Sequence, residues 1–160
     1  MKLWLTLALP LYVIDQITKA LVLRNIPLHE SIPVIPGFFN LTYVQNTGAA
    51  FGMMKDNNWF FIGLASTALV VLAVLTWKNV FRDPFSRVAS ALLVSGVVGN
   101  LTDRILHGFV VDFVDVILPW YGHWPAFNVA DSCIFVAAGL FILSSFLDGK
   151  KKPASTSLTA

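Results

Sequence analysis

Residues 59–77 read WFFIGLASTALVVLAVLTW, a run without a single ionisable side chain. A helix needs about 20 mostly apolar residues to cross a hydrocarbon core of roughly 30 Å, and this stretch meets that requirement. Reading outward, residues 3–23, 88–106 and 129–147 are also long and mainly apolar, although all three hold polar groups. The whole 160-residue chain is 56% hydrophobic and only 12% charged, whereas a soluble domain carries about 25% charged residues. Its mean hydropathy is +0.72. The sequence therefore predicts an all-α membrane protein, a four-transmembrane-helix bundle. A single integral membrane domain is expected over residues 1–147. The remainder, 148–160, reads DGKKKPASTSLTA and is expected to be a flexible tail. A formal charge of +2, with no basic stripe interleaved with aromatics, argues against nucleic acid as a partner. One cysteine, Cys133, excludes an intramolecular disulfide and reads as a packing residue.

An even number of spans puts both termini on one side, and the Lys and Arg distribution selects that side. Lys2, Lys78, Arg82, Arg87, Lys150, Lys151 and Lys152 lie with the termini and the middle loop, against Arg24 and Lys55 opposite. Both termini are therefore expected in the cytoplasm, with residues 25–58 and 107–127 extracytoplasmic. A cleavable leader is a poor reading of the first span, because Asp15, Gln16 and Lys19 occupy the place of a small-residue cleavage site and apolarity resumes at Ala20. In the loop at 78–87, Pro84 reads as a helix stop.

Residues 25–58 change character, with Pro27, Pro33, Pro36, Gly37, Gly48 and Gly52 breaking any helix. The segment 38–44, FFNLTYV, favours a strand, and Asn46-Thr47-Gly48 a turn before AAFGMM, so a small extracytoplasmic β-hairpin or sheet cradle is expected there. Phe38, Phe39, Phe51, Met53 and Met54 would lay it on the membrane interface.

Polar chemistry concentrates in residues 96–131, GVVGNLTDRILHGFVVDFVDVILPWYGHWPAFNVAD. Four of the nine acids, Asp103, Asp112, Asp115 and Asp131, fall here with Asn100, Arg104 and Asn128. An ionised side chain at the centre of a membrane helix costs at least about 2.5–3.5 kcal/mol, which makes such groups functional candidates. Gly96, Gly99, Asn100 and Asp103 share one helical stripe, and Asp15, Thr18 and Lys19 share another, with the acid N-terminal to the base. The run 109–118 fits either a strand or a helical continuation, and residues 119–125, PWYGHWP, form an aromatic belt. Asn128 is placed as an N-cap, with Asp131 in the first turn where the helix dipole favours a carboxylate. Interhelical polar glue, capping and substrate contact are all compatible with these positions.

Paired carboxylates at the mouth of a bundle permit peptide hydrolysis without a metal: the ionised one takes a proton from water while the neutral one donates to the carbonyl oxygen. No Gly-x-Ser-x-Gly turn and no His-Glu-x-x-His pair supports a serine or zinc mechanism. A different class also fits: a small transporter subunit using Asp15, Asp103, Asp112 and Asp131 as a proton or cation relay. Spacing alone leaves Asp103 and Asp115 as eligible for chemistry as Asp112 and Asp131.

Five short motifs carry a resemblance that goes further. They are Asp15-Gln-Ile-Thr18-Lys19, Gln45-Asn46-Thr-Gly48-Ala-Ala50-Phe51-Gly52, Gly99-Asn100-Leu-Thr-Asp103-Arg104, Val111-Asp112-Phe113 and Phe127-Asn128-Val-Ala130-Asp131. In this order and spacing the chain resembles the bacterial lipoprotein signal peptidases, signal peptidase II. The resemblance implies an aspartic peptidase of the cytoplasmic (inner) membrane that acts without a cofactor or metal. Its expected partners are membrane lipid and a diacylglyceryl-modified prolipoprotein, cut immediately before the lipidated cysteine, and its expected state is a monomer. The catalytic pair of the family maps onto Asp112 and Asp131. Asp15, Lys19, Asn46, Gly48, Asn100, Asp103, Arg104, Asn128 and Ala130 map onto positions that bind substrate or position catalytic groups.

The charge asymmetry makes the topology testable. In a Cys133-free background, a membrane-impermeant maleimide added from outside is expected to label a cysteine at position 57 and to spare one at position 83. The opposite pattern would invert the topology.

Overall fold

The computed structural model describes residues 3–48 and 57–149. Ala50, Phe51 and Gly52 of the second motif, Met53, Met54, Lys2 and Lys55, and residues 150–160 of the expected tail lie outside the described residues.

Four helices are long and apolar enough to cross a membrane: Trp4–Asn25, Asn58–Trp77, Pro84–His107 and Val129–Leu147. The first opens as a π-helical turn, Trp4–Ala8, closed by the Leu9 amide on the Trp4 carbonyl, before α1 continues as Leu9–Asn25. Pro10 accounts for the wider turn, because it has no N–H to give the carbonyl four residues back and its ring crowds that carbonyl. α2 is Asn58–Trp77. α3, Pro84–His107, begins four residues earlier than the apolar run suggests. Pro84 starts this helix and does not stop the preceding one: at the first helical position its missing N–H would have no partner in any case. Asp83 caps it, accepting from the Ser86 amide at 3.0 Å, and Gly108 ends it in the left-handed conformation at φ 84°. α4 is Val129–Gly149.

The protein is not all-α. Four strands, β1 (Ser31–Ile35), β2 (Phe39–Asn46), β3 (Val110–Leu118) and β4 (Gly122–His123), form one antiparallel sheet in sequence order. The expected hairpin is therefore differently built. β2 turns back on β1 through Gly37, at φ 74°, and its other edge pairs with β3, from a segment more than sixty residues downstream. Pro33 is tolerated because β1 is an edge strand. The run 109–118, whose sequence allowed either conformation, is extended because β2 supplies the hydrogen-bonding partner.

A bulge lies in the β2–β3 pairing. Asn40 faces Asp115 and Leu41 faces Val114, but after the shift Val44 faces Asp112 and Asn46 faces Val110. The extra residue lets both Asn40 and Asn46, on alternate positions of one strand, reach acids three apart on β3. Those acids point to opposite faces of the sheet, since side chains alternate along a strand. Val22, Ile26, Tyr43, Val111 and Phe113 form the apolar core that fastens the sheet to the end of α1.

α3 is the central helix, packing against α1, α2 and α4. Its glycines permit the close approach: a Cβ at Gly96 would meet the Ala130 carbonyl oxygen and lie 2.6 Å from Ile134 Cγ1, and one at Gly99 would lie 2.6 Å from Asp15 Oδ2. By contrast, Gly63 on α2 has open space around it. Gly96→Ala is therefore expected to lower stability by about 1–3 kcal/mol through overpacking against backbone. Gly63→Ala should leave the unfolding temperature in detergent unchanged, which makes it the matched control.

Candidate functional site

Lys19 is 2% exposed, although it carries a full charge among four apolar spans. Its ammonium has three protons and finds three oxygens: Asp15 Oδ2 at 2.9 Å, Asp103 Oδ2 at 3.0 Å and Asn100 Oδ1 at 3.0 Å. The remaining carboxylate capacity is also filled. The Ala130 amide donates to Asp15 Oδ1 at 2.9 Å, and the Val111 amide to Asp103 Oδ2 at 3.0 Å. Asp15 thereby ties α1 to the start of α4, and Asp103 ties α3 to β3. Gln16, which the sequence did not mark as a site residue, donates to Asp15, Asp103 and the Gly99 carbonyl at 3.2–3.3 Å. Its position next to Asp15 was the available signal. Thr18 belongs to the same motif but takes no part, because its hydroxyl donates back to the carbonyls of Ile14 and Asp15.

The polarity of the neighbouring amides follows from Lys19. An ammonium only donates, so Asn100 must offer it oxygen and turn its NH₂ the other way. That NH₂ donates to Asp131 Oδ1 at 2.7 Å. Asn100 Oδ1 also accepts from Asn128 Nδ2 at 3.2 Å, which orients Asn128 in turn. The same Nδ2 donates to Asp112 Oδ1 at 2.8 Å, while Asn128 Oδ1 accepts the Asp131 amide at 2.8 Å. Asp131 Oδ2 closes the reciprocal bond to the Asn128 amide at 3.2 Å, completing a capping box at the start of α4. Asn128 is thus both a helix cap and the link between Asp112 and Asp131. It is held there by Phe127, which exchanges backbone hydrogen bonds with Val114 of β3.

Asp112 is 2% exposed and also accepts from Asn46 Nδ2 at 2.9 Å. Burial, and after it the neighbouring Asp131 carboxylate, push the Asp112 carboxyl well above the ordinary carboxylate range; the bonds from Asn46 and Asn128 only partly oppose this. Asp131 is half-buried and is therefore the more open of the two. An asymmetric pair of this kind can hold one proton on Asp112 and a charge on Asp131.

The other two acids of the stretch are engaged elsewhere. Asp103 is neutralised by Lys19. Asp115 lies on the opposite face of the sheet, accepting from Asn40 at 2.8 Å and meeting His123 Nδ1 at 2.8 Å. Burial raises its carboxyl, but the bonds from Asn40 and His123 outweigh that and hold it below the ordinary value. Arg104 points to the outer segment: Nη2 donates to the Gly48 carbonyl at 3.1 Å, and its guanidinium lies 4.8 Å from the Phe61 ring centroid. Gly48 is held in turn by its amide on Asn46 Oδ1 at 3.0 Å. Asn46, Gly48 and Arg104 therefore join the outer segment to α2, α3 and Asp112.

A family model described as signal peptidase (SPase) II matches residues 7–147. The chain belongs to the signal peptidase II family. It is a multi-pass membrane protein, with four spans and solved relatives that are bacterial membrane enzymes. It is 43% identical over 154 residues to a lipoprotein signal peptidase of Photorhabdus laumondii, covering 93% of this chain and 90% of that one. A lipoprotein signal peptidase of Syntrophotalea carbinolica is also 43% identical, covering 96% of each. One solved bacterial membrane enzyme superposes with a TM-score of 0.89 at 32% identity, covering 99% of this chain and 96% of that one. A second gives 0.83 at 33% identity, over 92% and 95%. Family membership identifies a peptidase and disfavours the transporter alternative.

The Lys19 cluster generates a stability test. Lys19→Met leaves Asp15 and Asp103 buried without their cation and should cost about 3–5 kcal/mol. Adding Asp15→Asn and Asp103→Asn is expected to recover part of that loss in thermal unfolding of the detergent-solubilised protein. An equal or larger loss in the triple variant would mean that Lys19 is not the neutralising charge.

Proposed function

We propose that this chain is an aspartic endopeptidase that removes signal peptides from diacylglyceryl-modified prolipoproteins, cutting immediately before the lipidated cysteine. Asp112 and Asp131 are its catalytic pair. The observation that carries the reading is the Asn128 side chain, which donates to Asp112 at 2.8 Å while its oxygen caps the helix turn that holds Asp131. The names of the relatives support the substrate class.

In the reaction, ionised Asp131 accepts a proton from water as the oxygen attacks the scissile carbonyl carbon. Neutral Asp112 gives its proton to the carbonyl oxygen, producing an uncharged tetrahedral diol. Asp131 then returns its proton to the leaving nitrogen as the C–N bond breaks, and Asp112 recovers one from the diol hydroxyl. Lys19, Asp15, Asp103 and Asn100 fix the orientation of the amides that hold the pair, and Ala130 contributes its amide to Asp15. Asn46, Gly48 and Arg104 position the substrate where it passes beneath the outer segment. A proton or cation relay through the same acids is less well supported, since Asp15 and Asp103 are tied to Lys19.

The protein works as a monomer in the inner membrane, with both termini cytoplasmic and the pair near the extracytoplasmic face. A site at that depth uses the acyl chains as a handle, at about 0.8 kcal/mol per buried CH₂, so peptide recognition can be loose.

Cleavage of a lipidated precursor by the purified protein in detergent tests the reading. Asp112→Asn and Asp131→Asn should each lower kcat by at least about 10²-fold while the protein stays folded, and the unlipidated precursor should be a poor substrate. Because Asp112 acts in its neutral form and its carboxyl is raised, kcat/KM should fall as pH rises through that raised value. The alkaline limb therefore lies well above the ordinary carboxylate range, and it reports the pair jointly. A near wild-type rate for Asp112→Asn would falsify the dyad.

A further inference from the structure

α2 carries no ionisable side chain, and most of its surface faces lipid; Phe61 and Leu72 are its buried residues. Asn58, Phe61, Ala65, Ala68 and Leu72, spaced three and four apart, are its inward seam, and α2 packs against α3. The two alanines give the close approach usual between membrane helices. The outer end of the seam is different. Three aromatics follow one another there, and Trp59 and Phe60 are 83% and 44% exposed while Phe61 is only 8% exposed. Both outer seam residues converge on one residue of α3. Asn58 Nδ2 donates to the Arg104 carbonyl at 3.0 Å, and the Arg104 guanidinium lies over the Phe61 ring, with Cζ 4.8 Å from the centroid. That distance is inside the range of about 6 Å over which the negative face of a ring attracts a cation.

Arg104 needs such a seat because of where it stands. It lies in the last turn of α3, next to the exposed Ile105 and Leu106. A long cationic side chain at that depth gains by extending to the headgroups, where its charge is hydrated. Arg104 is turned to the outer segment instead, and Nη2 donates to the Gly48 carbonyl at 3.1 Å. A ring beneath the flat face of a guanidinium leaves its in-plane N–H groups aimed outward at acceptors. From Gly48 the connection continues through its amide to Asn46 Oδ1 at 3.0 Å, and from Asn46 Nδ2 to Asp112 Oδ2 at 2.9 Å. An apolar helix is thereby linked to a buried acid through a single cation.

We propose that Phe61 is a positioning residue, whose ring face holds the Arg104 guanidinium on the Gly48 carbonyl while Asn58 fixes the backbone from which Arg104 springs. Its role in cleavage rests on the peptidase reading above, in which Arg104 positions the substrate. The contact between ring and cation does not rest on that reading. Phe61 therefore does more than pack: an aliphatic side chain of similar size would fill the seam but would not oppose the pull of the headgroups on Arg104.

Fluorination of the ring tests this, because it keeps the shape and apolarity of Phe61 and removes the negative charge of its face. In the full chain in detergent, pentafluorophenylalanine in place of Phe61 should lower kcat/KM for the lipidated precursor by about tenfold, mainly through KM, and the monofluorinated analogue by less. The same replacement at Phe135, an exposed ring on α4, should leave kcat/KM unchanged. Unchanged kcat/KM with pentafluorophenylalanine at position 61 would make Phe61 a packing residue and overturn the proposal. Thermal unfolding reads the contact without substrate: the pentafluorinated ring at position 61 should lower the unfolding temperature by about 2–4 °C when Arg104 is present and should not lower it in Arg104→Met. An equal fall in both backgrounds would mean that the ring does not act through the guanidinium, which also overturns the proposal. Failure of the unsubstituted chain to cleave the lipidated precursor would instead sink the peptidase reading, and the unfolding comparison would then decide the contact alone.

Discussion

The buried ammonium of Lys19 is the constraint on which the site's arrangement depends. Because it can only donate, it dictates which way Asn100 points, and Asn100 dictates Asn128. With the two amides fixed, one NH₂ group faces each carboxylate of the pair. The two acids proposed as the catalytic pair are thus held by a chain of forced orientations that starts at a residue on another helix. The same ammonium offsets Asp15 and Asp103, whose carboxylates hold backbone amides of α4 and β3. Electrostatics and tertiary architecture are therefore one arrangement here. In hydrocarbon, where an unpaired charge is costly, this is a strong selector of a single packing.

Sheet and helices meet at the pair, and each contributes what the other lacks. β3 delivers Asp112 into a buried position between Asn46 of β2 and Asn128. The helix start delivers Asp131 to a half-open position with amide donors around it. In the proposed reaction, the carboxyl kept neutral needs the first environment, and the carboxylate that receives a proton from water needs the second. Neither element alone provides both.

Much of this was legible in the chain. The spans stood out because lipid demands long apolar runs, and the glycine stripe of α3 and the cap at Asn128 are local patterns with local causes. The course of residues 109–118 was not legible. Its alternation is ambiguous, and only pairing with β2, far away in sequence, makes it a strand. The same distance hid which acids are tied to other partners. Asp103 and Asp115 looked equivalent to Asp112 and Asp131 until their partners, Lys19 on α1 and Asn40 and His123 at the outer sheet, were in place. Gln16 was read only against a cleavable leader and not as part of the site, because an uncharged amide beside an acid carries no distinctive spacing. The label all-α failed for a related reason: composition reports the solvent around a chain, and the sheet is a minor part of the composition.

The bulge between Leu41 and Val44 has a consequence for how this architecture tolerates change in length. It acts as a phase shifter between two polar faces, since residues of like parity on β2 serve Asp115 before it and Asp112 after it. Substitutions at the strand's half-buried positions preserve that phase, but removal of one residue within the bulge does not. The outer half of the strand would remain in register while Asn46 rotated away from Asp112 and carried Gly48 with it. Variation in the loop joining β1 to β2 is free of this constraint, so lineages can remodel the rim of the sheet while β2 keeps a fixed residue count from Asn40 to Asn46.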